Sequence, residues 1–244
     1  MRVDALVVAG PNLFKSAPPI AEIVVSSSAC GLGKVVVTPG RPHDYALPPA
    51  NDRLAAECAD LPQAARLGRV DPLQGARAVA EARRCLEDLG CVGLFLHPGE
   101  ECFRLSDAVD VVRTAATAGA PVVVAAGLYG LSEPLQFLAL ARKVPDATIV
   151  MTSGGQINIS GLSMADAWAA LTRASNLYVT TDGEYRQDYI ERIARELGPD
   201  RMLFASFSPY YDQAFELARI ASADLDALAR SGLEGANAQR LFGL

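Results

Sequence analysis

The chain has 244 residues, half of them hydrophobic but only 7% aromatic, with a formal net charge of −6. That length suits two small domains or one α/β barrel, and the acidic balance with scattered basic residues excludes a nucleic-acid or anionic-membrane footprint. Five cysteines (Cys30, Cys58, Cys85, Cys91, Cys102) form no CxxC pair, which argues against a disulfide framework or structural zinc and for a reducing cytoplasm.

Short β-branched runs alternate with helix-period segments along the chain. Strands are predicted at 3–9, 34–38, 65–70, 92–97, 121–125, 148–152, 177–181 and 202–206. Helices are predicted near 19–30, 51–60, 74–89, 106–118, 133–143, 163–174, 186–197 and 210–220. The strands are too uniformly apolar for one wet face, so they read as parallel strands buried on both sides. Eight strand–helix units predict an α/β fold, a single-domain (β/α)8 TIM barrel spanning 1–244. A short C-terminal helical extension begins near Ser222. Neither uncharged run, 114–132 or 147–165, reads as a membrane span, because glycine, proline and polar residues interrupt them. No secretory signal pattern opens the chain.

Several boundaries have local causes. Asp71-Pro72 ends the third strand, and Ala78, Val79, Ala82 and Leu86 give the next helix its apolar face. Gly90 and Gly119 stand where left-handed helix caps are needed. Ser132-Glu133-Pro134 opens the fifth helix with proline in its first turn. Within 19–30, Val24, Val25 and three consecutive serines are poor helix formers.

Short motifs follow one another along the chain. Gly68-Arg69-Val70-Asp71-Pro72 matches a third-strand end, and Gly93-Leu94-Phe95-Leu96-His97-Pro98 resembles "GlKlHP". Pro121-Val122-Val123-Val124 resembles "PvliH", and Thr152-Ser153-Gly154-Gly155 matches "HxGG". Leu203 to Pro209 resembles "llfGSDxP", and Asn237-Ala238-Gln239-Arg240-Leu241-Phe242 is similar to a terminal "NAxrLf". Val3 to Val8 is similar to "iDaHvH" with both histidines replaced. Together these motifs resemble those of amidohydrolases, metal-dependent TIM-barrel hydrolases, and are close in pattern to the aminocarboxymuconate-semialdehyde decarboxylase-like branch. The resemblance implies divalent-metal ligands at positions that hold Leu6, Val8, Ala125, Thr152 and Phe207. None of these side chains grips a metal as imidazole or carboxylate does, so no metal or other cofactor is expected.

A relocated site would need His97 with Glu100, Glu101 and Cys102, although the resemblance already accounts for a histidine there. His43 lies in a Pro-rich loop and reads as solvated. Asp71, His97 and Asp182 are the candidate catalytic residues; for Asp71, and for Asp182 with Glu184, turn roles are the competing reading. Asn12, Thr152, Ser153 and Ser206 are candidate ligand-binding residues near strand ends. Ser153, Ser206 and Ser208 would need a base such as His97 to act as nucleophiles. Gly154-Gly155 lacks the rest of a phosphate loop.

Two functions follow. The first is a non-catalytic barrel, a pseudoenzyme subunit paired with a homologous metal-bearing amidohydrolase. Its cue is the uncharged segment 23–33, where a barrel helix normally shows a charged outer stripe; cover by the chain's own tail is the alternative. The second is a metal-independent or divergent hydrolase or decarboxylase acting on a small carboxylate or amide at the carboxyl-end mouth. A homo-oligomer is compatible with either.

Overall fold

The computed structural model describes residues 1–11, 18–156 and 161–244, with backbone only at 161 and 162. Eight strands form one parallel sheet in sequential order: β1 (Val3–Ala9), β2 (Lys34–Pro39), β3 (Ala64–Arg69), β4 (Gly93–Leu96), β5 (Val122–Val124), β6 (Ile149–Met151), β7 (Leu177–Thr180) and β8 (Met202–Leu203). Hydrogen bonds from Ala5 N to Phe204 O (2.8 Å), Phe207 N to Leu6 O (2.8 Å) and Val8 N to Ser208 O (2.7 Å) join the last strand to the first. The result is the predicted barrel.

The helices of the units are α1 (Ile20–Ala29), α2 (Leu47–Glu57), α3 (Ala76–Glu87), α4 (Val109–Thr117), α5 (Pro134–Lys143), α6 (Gly161–Arg173), α7 (Gln187–Glu196) and α8 (Gln213–Ala221). The extension forms α9 (Ala227–Ser231) and α10 (Asn237–Phe242). None of the helices among the described residues is long and apolar enough to cross a membrane. Helix α2 starts four residues before its prediction because Pro48 and Pro49 sit in its first turn, where no amide donor is missed. Helix α1 forms despite its serines, since Ser27 and Ser28 donate to the carbonyls of Ile23 (2.7 Å) and Val24 (2.8 Å) one turn back. Its outer face is Ala21, Glu22, Val25, Ser26, Ser28 and Ala29, so small and hydroxyl side chains replace the charged stripe. The tail does not cover it.

Alternation along each strand sorts the core into two shells. Leu6, Val36, Leu67, Phe95, Val123, Val150, Leu203 and Ala205 pack inside the ring, while their neighbours Leu94, Leu96, Val122, Val124, Ile149 and Met151 face the helices. A register shift between Asp4 and Val7 lets Val3, Ala5 and Leu6 all join the inner shell. Helix α10 closes the amino end of the ring with Ala238 and Phe242, and Asn237 Nδ2 donates to Met202 O at 2.8 Å.

The same irregularity leaves the fully buried Asp4 outside the inner shell, at the seam between β1 and the segment after β8. Its carboxylate accepts from Ser206 N (2.9 Å), Ser206 Oγ (2.6 Å) and Gln213 Nε2 (2.9 Å), and Gln213 in turn bonds to Ser27 Oγ (2.8 Å). Burial outweighs these donors and lifts the carboxyl pKa from 3.8 to about 6. The native state therefore binds more protons than the unfolded chain between those values, so stability falls as pH rises through them. Relative to Asp4→Asn, the unaltered chain is expected to lose about 3 kcal/mol between about pH 4 and 6. Urea denaturation of both proteins across that range measures the difference; parallel pH profiles would refute it.

Candidate active site at the carboxyl end of the barrel

Strand β3 ends on Arg69, whose parity with Leu67 turns it into the ring at its carboxyl end. The side chain is 2% exposed. Beyond Val37↔Arg66, β2 offers β3 no further ladder pair. Asn51 of α2 fills the gap, accepting from Arg69 N (2.8 Å) and donating to Arg69 O (2.9 Å). The guanidinium lies 5.5 Å above the centre of the Phe95 ring. It donates to Pro39 O (3.2 Å), to Glu101 Oε1 from Nε (3.1 Å) and Nη2 (2.7 Å), and to Glu100 Oε2.

Both glutamates come from the turn after β4, where Glu100 N and Glu101 N bond back to His97 O at 3.0 and 3.1 Å. Arg41, stacked 3.9 Å above the Tyr45 ring, brings its Nε within 3.9 Å of Glu101 Oε1. Burial lifts the Glu101 pKa to about 6 against the pull of Arg69. Among the described residues its buried Oε2 has no hydrogen-bond partner. Burial drives the His97 pKa down to about 4, with Glu100 opposing, so the ring is neutral at pH 7. His97 Nδ1 accepts from Glu100 N (3.1 Å), which leaves the ring proton on Nε2.

An aromatic group lies beside this charged cluster. Phe207 sits with its ring 6.3 Å from Phe95 and 5.0 Å from Tyr210, and His97 stands 6.1 Å from Phe95. Burial raises the Tyr210 phenol pKa. Tyr45, Cys102, Ser153 and Phe207, in the loops after β2, β4, β6 and β8, all adopt positive φ between 53° and 59°. Such strain in bulky residues concentrates at functional ends of folds.

His97 alone of the predicted catalytic residues stands in this constellation. Asp71 caps the turn after β3, accepting from Leu73 N (3.0 Å) and Gln74 Nε2 (2.9 Å). Asp182 is fully buried, accepting from Ser153 Oγ (2.8 Å) and Thr180 Oγ1, with its pKa raised by burial. Thr152 Oγ1 accepts from Ala126 N (3.0 Å), and Ser206 is committed to Asp4. Asn12 lies outside the described residues. His43 is exposed in its loop. Cys102 is exposed, and the Glu100 and Glu101 carboxylates face Arg69, so the relocated metal cluster does not assemble. Among the described residues no group of three His, Cys, Asp or Glu could hold a metal.

Leu6, Val8 and Ala125 are buried beneath or within the rim and bring no donor atom. With Thr152 engaged and Phe207 aromatic, these five residues do not fit a divalent cation. The sequence reading missed Arg69, Arg41 and Tyr210. A readable signal existed for Arg69, an arginine two residues beyond the inward Leu67 and therefore of the same parity, unlike Arg66 in the same strand.

A family model described as Amidohydrolase matches residues 39–244. The chain belongs to the amidohydrolase family. No match is found among curated proteins. Among solved structures, this amidohydrolase barrel is similar to 5-carboxyvanillate decarboxylase LigW from Sphingomonas paucimobilis, with TM-score 0.79, 16% identity, and 100% of this chain and 99% of that chain covered. It is similar to 2,6-dihydroxybenzoate decarboxylase from Rhizobium, with TM-score 0.77, 18% identity, and coverage of 99% and 98%. A third likeness is to 5-carboxyvanillate decarboxylase from Novosphingobium aromaticivorans complexed with manganese and 4-hydroxy-3-methoxy-5-nitrobenzoic acid, with TM-score 0.77, 16% identity, and coverage of 100% and 96%.

At these identities the likeness shows the fold. The expectation of a pseudoenzyme serving as a subunit of a heteromeric complex is corrected by these comparisons, since barrels matched end to end include those of several decarboxylases. The rim agrees with the correction. A barrel kept for packing alone would not be expected to bury an arginine against two carboxylates, an arrangement that costs desolvation. Arg69→Met, which strands both glutamates, is expected to lower stability by about 3–5 kcal/mol. Adding Glu101→Gln should restore part of it. Chemical denaturation of the single and double variants decides; a single variant as stable as the unaltered chain would sink the cluster.

Proposed function

We propose that this amidohydrolase barrel is a decarboxylase of small aromatic carboxylates that works without a divalent metal. It would belong to the aminocarboxymuconate-semialdehyde decarboxylase-like branch, with Leu6, Val8, Ala125, Thr152 and Phe207 where that branch holds metal ligands. The observation that carries the reading is Glu101, a buried carboxyl with a pKa near 6 and an oxygen unpaired among the described residues, beside two arginines and an aromatic wall. The decarboxylase likenesses support the choice of reaction.

Each part has a chemical use. Arg41, the less buried of the two arginines, would hold the substrate carboxylate, while Phe207 and Tyr210 would face its ring. Loss of CO2 leaves the bonding electron pair on carbon, and that carbon then needs one proton. Glu101 Oε2 carries the proton in the acid form, and solvent restores it after product leaves. His97 Nε2–H donates a hydrogen bond towards the reacting group without itself becoming charged. Arg69 holds the Glu101 carboxyl in place through Oε1.

Carbon dioxide release from a panel of small aromatic carboxylates, on chelator-treated protein, tests the reading. Glu101→Gln is expected to lower kcat about 10²–10⁴-fold while Arg41→Met mainly raises KM. Because the acid form of Glu101 is required, kcat should fall as pH rises through about 6. Turnover that appears only with an added divalent metal would overturn the proposal, as would an unchanged Glu101→Gln rate.

A further inference from the structure

Three of the cysteines gather on the outer side of β3 and β4, away from the mouth. Helix α3 ends at Glu87, and Gly90, at φ 62°, turns the chain back. Cys91 N then donates to Cys85 O at 3.0 Å. That bond limits the separation of the two Cα atoms to roughly 7 Å, and disulfide-linked Cα atoms lie about 4.4–6.8 Å apart. The two thiols are near enough for each to shift the titration of the other. Cys85 is buried against Gly68, where a Cβ would stand 2.5 Å from its Sγ, and Cys91 is partly exposed.

The surroundings divide the two sulfurs by role. The neighbouring Cys85, then the charge of Arg66 and more weakly that of Arg84, hold the Cys91 thiol below its ordinary pKa against the effect of burial. Arg66 is fixed nearby by Nη2 donating to Gly90 O (3.4 Å). The Cys85 thiol is pushed up by the neighbouring Cys91 and by burial. Cys58 feels the charge of Cys91 but is itself pushed up to about 11 by burial. A partly exposed sulfur beside an arginine, on a backbone held within disulfide reach of a buried thiol, has the layout of a redox pair.

We propose that Cys85 and Cys91 form a dithiol oxidised by hydroperoxides, with Cys91 the attacking sulfur and Cys85 the resolving one. The Cys91 thiolate attacks the O–O bond, forming S–OH and releasing the alkoxide or hydroxide, which takes a proton from water. Cys85 then attacks the Cys91 sulfur, an S–S bond forms, and the hydroxyl leaves as water with the Cys85 proton. Two thiols lose two electrons, and the peroxide is reduced to an alcohol or water plus the second water. Glu81 Oε1, 3.5 Å from Cys85 Sγ, is placed to pass that proton. This chemistry does not depend on the proposed decarboxylation.

Peptide mapping of the reduced full chain after hydrogen peroxide tests it, since cleavage after Glu87 separates the two cysteines. The expected product is a Cys85–Cys91 crosslink with loss of two hydrogen masses, reversed by dithiothreitol. Cys85→Ser should stop at a sulfenic acid on Cys91 that dimedone captures, and Cys91→Ser should leave Cys85 unmodified. A Cys58–Cys91 crosslink, or oxidation of Cys30 or Cys102 while Cys91 stays reduced, would overturn the assignment. Mapping of the unmutated chain decides even where a variant fails to fold.

Discussion

A closed ring of parallel strands admits only alternate residues to its interior, and that constraint governs this molecule. Once Phe95, Leu67, Val123 and Val150 fill the ring, whatever chemistry the fold performs must rest on the next inward residues and the loops above them. Here those residues divide by side. The third and fourth units supply Arg69, His97, Glu100 and Glu101, and the second supplies Arg41. The first, fifth and eighth supply Val8, Ala125 and Phe207. An arginine–glutamate cluster beside the Phe207 ring suits a molecule that carries a carboxylate on a ring.

The charged flank is balanced by proximity rather than by solvent. Arg69 alone cannot satisfy two carboxylates, and Arg41 approaches Glu101 only to 3.9 Å. Burial therefore decides the outcome, and one carboxyl retains its proton towards neutral pH. His97, under the same burial, goes the other way and stays uncharged. Two titratable groups a few residues apart are thus pushed towards their neutral forms for one reason, yet present opposite chemistry: a removable proton on the acid and a fixed donor on the ring.

Much of the scaffold was legible in the sequence because it follows from periodicity. Eight apolar runs, the glycines at 90 and 119 and the proline-opened α5 all carry local signals that no tertiary contact overrode. Helix α1 was harder to read, since Ser27 and Ser28 bond to its own carbonyls and Ser26 to the distant Gln213, which only the folded chain shows. At the mouth the sequence showed His97 but weighted Asp71 over its neighbour Arg69. Both lie in one strand-end motif, and only the inward parity of Arg69 separates them. That Glu100 and Glu101 face an arginine rather than a metal depends on a contact across 31 and 32 residues of sequence, which no local pattern encodes. The replaced histidines suggested lost catalysis; the charged rim, built from other strands, was invisible to that comparison.

Asn51 gives the architecture one more consequence. Its amide serves both backbone groups of Arg69 and also donates to Glu81 of α3 at 2.7 Å. It therefore works as a spacer of fixed length between the outer helices and the rim. An aspartate could not donate, and a leucine could do neither. The helical layer that looks like mere wrapping thus sets where the guanidinium stands, and drift in the packing of α2 against α3 would retune the mouth without touching a residue that lines it.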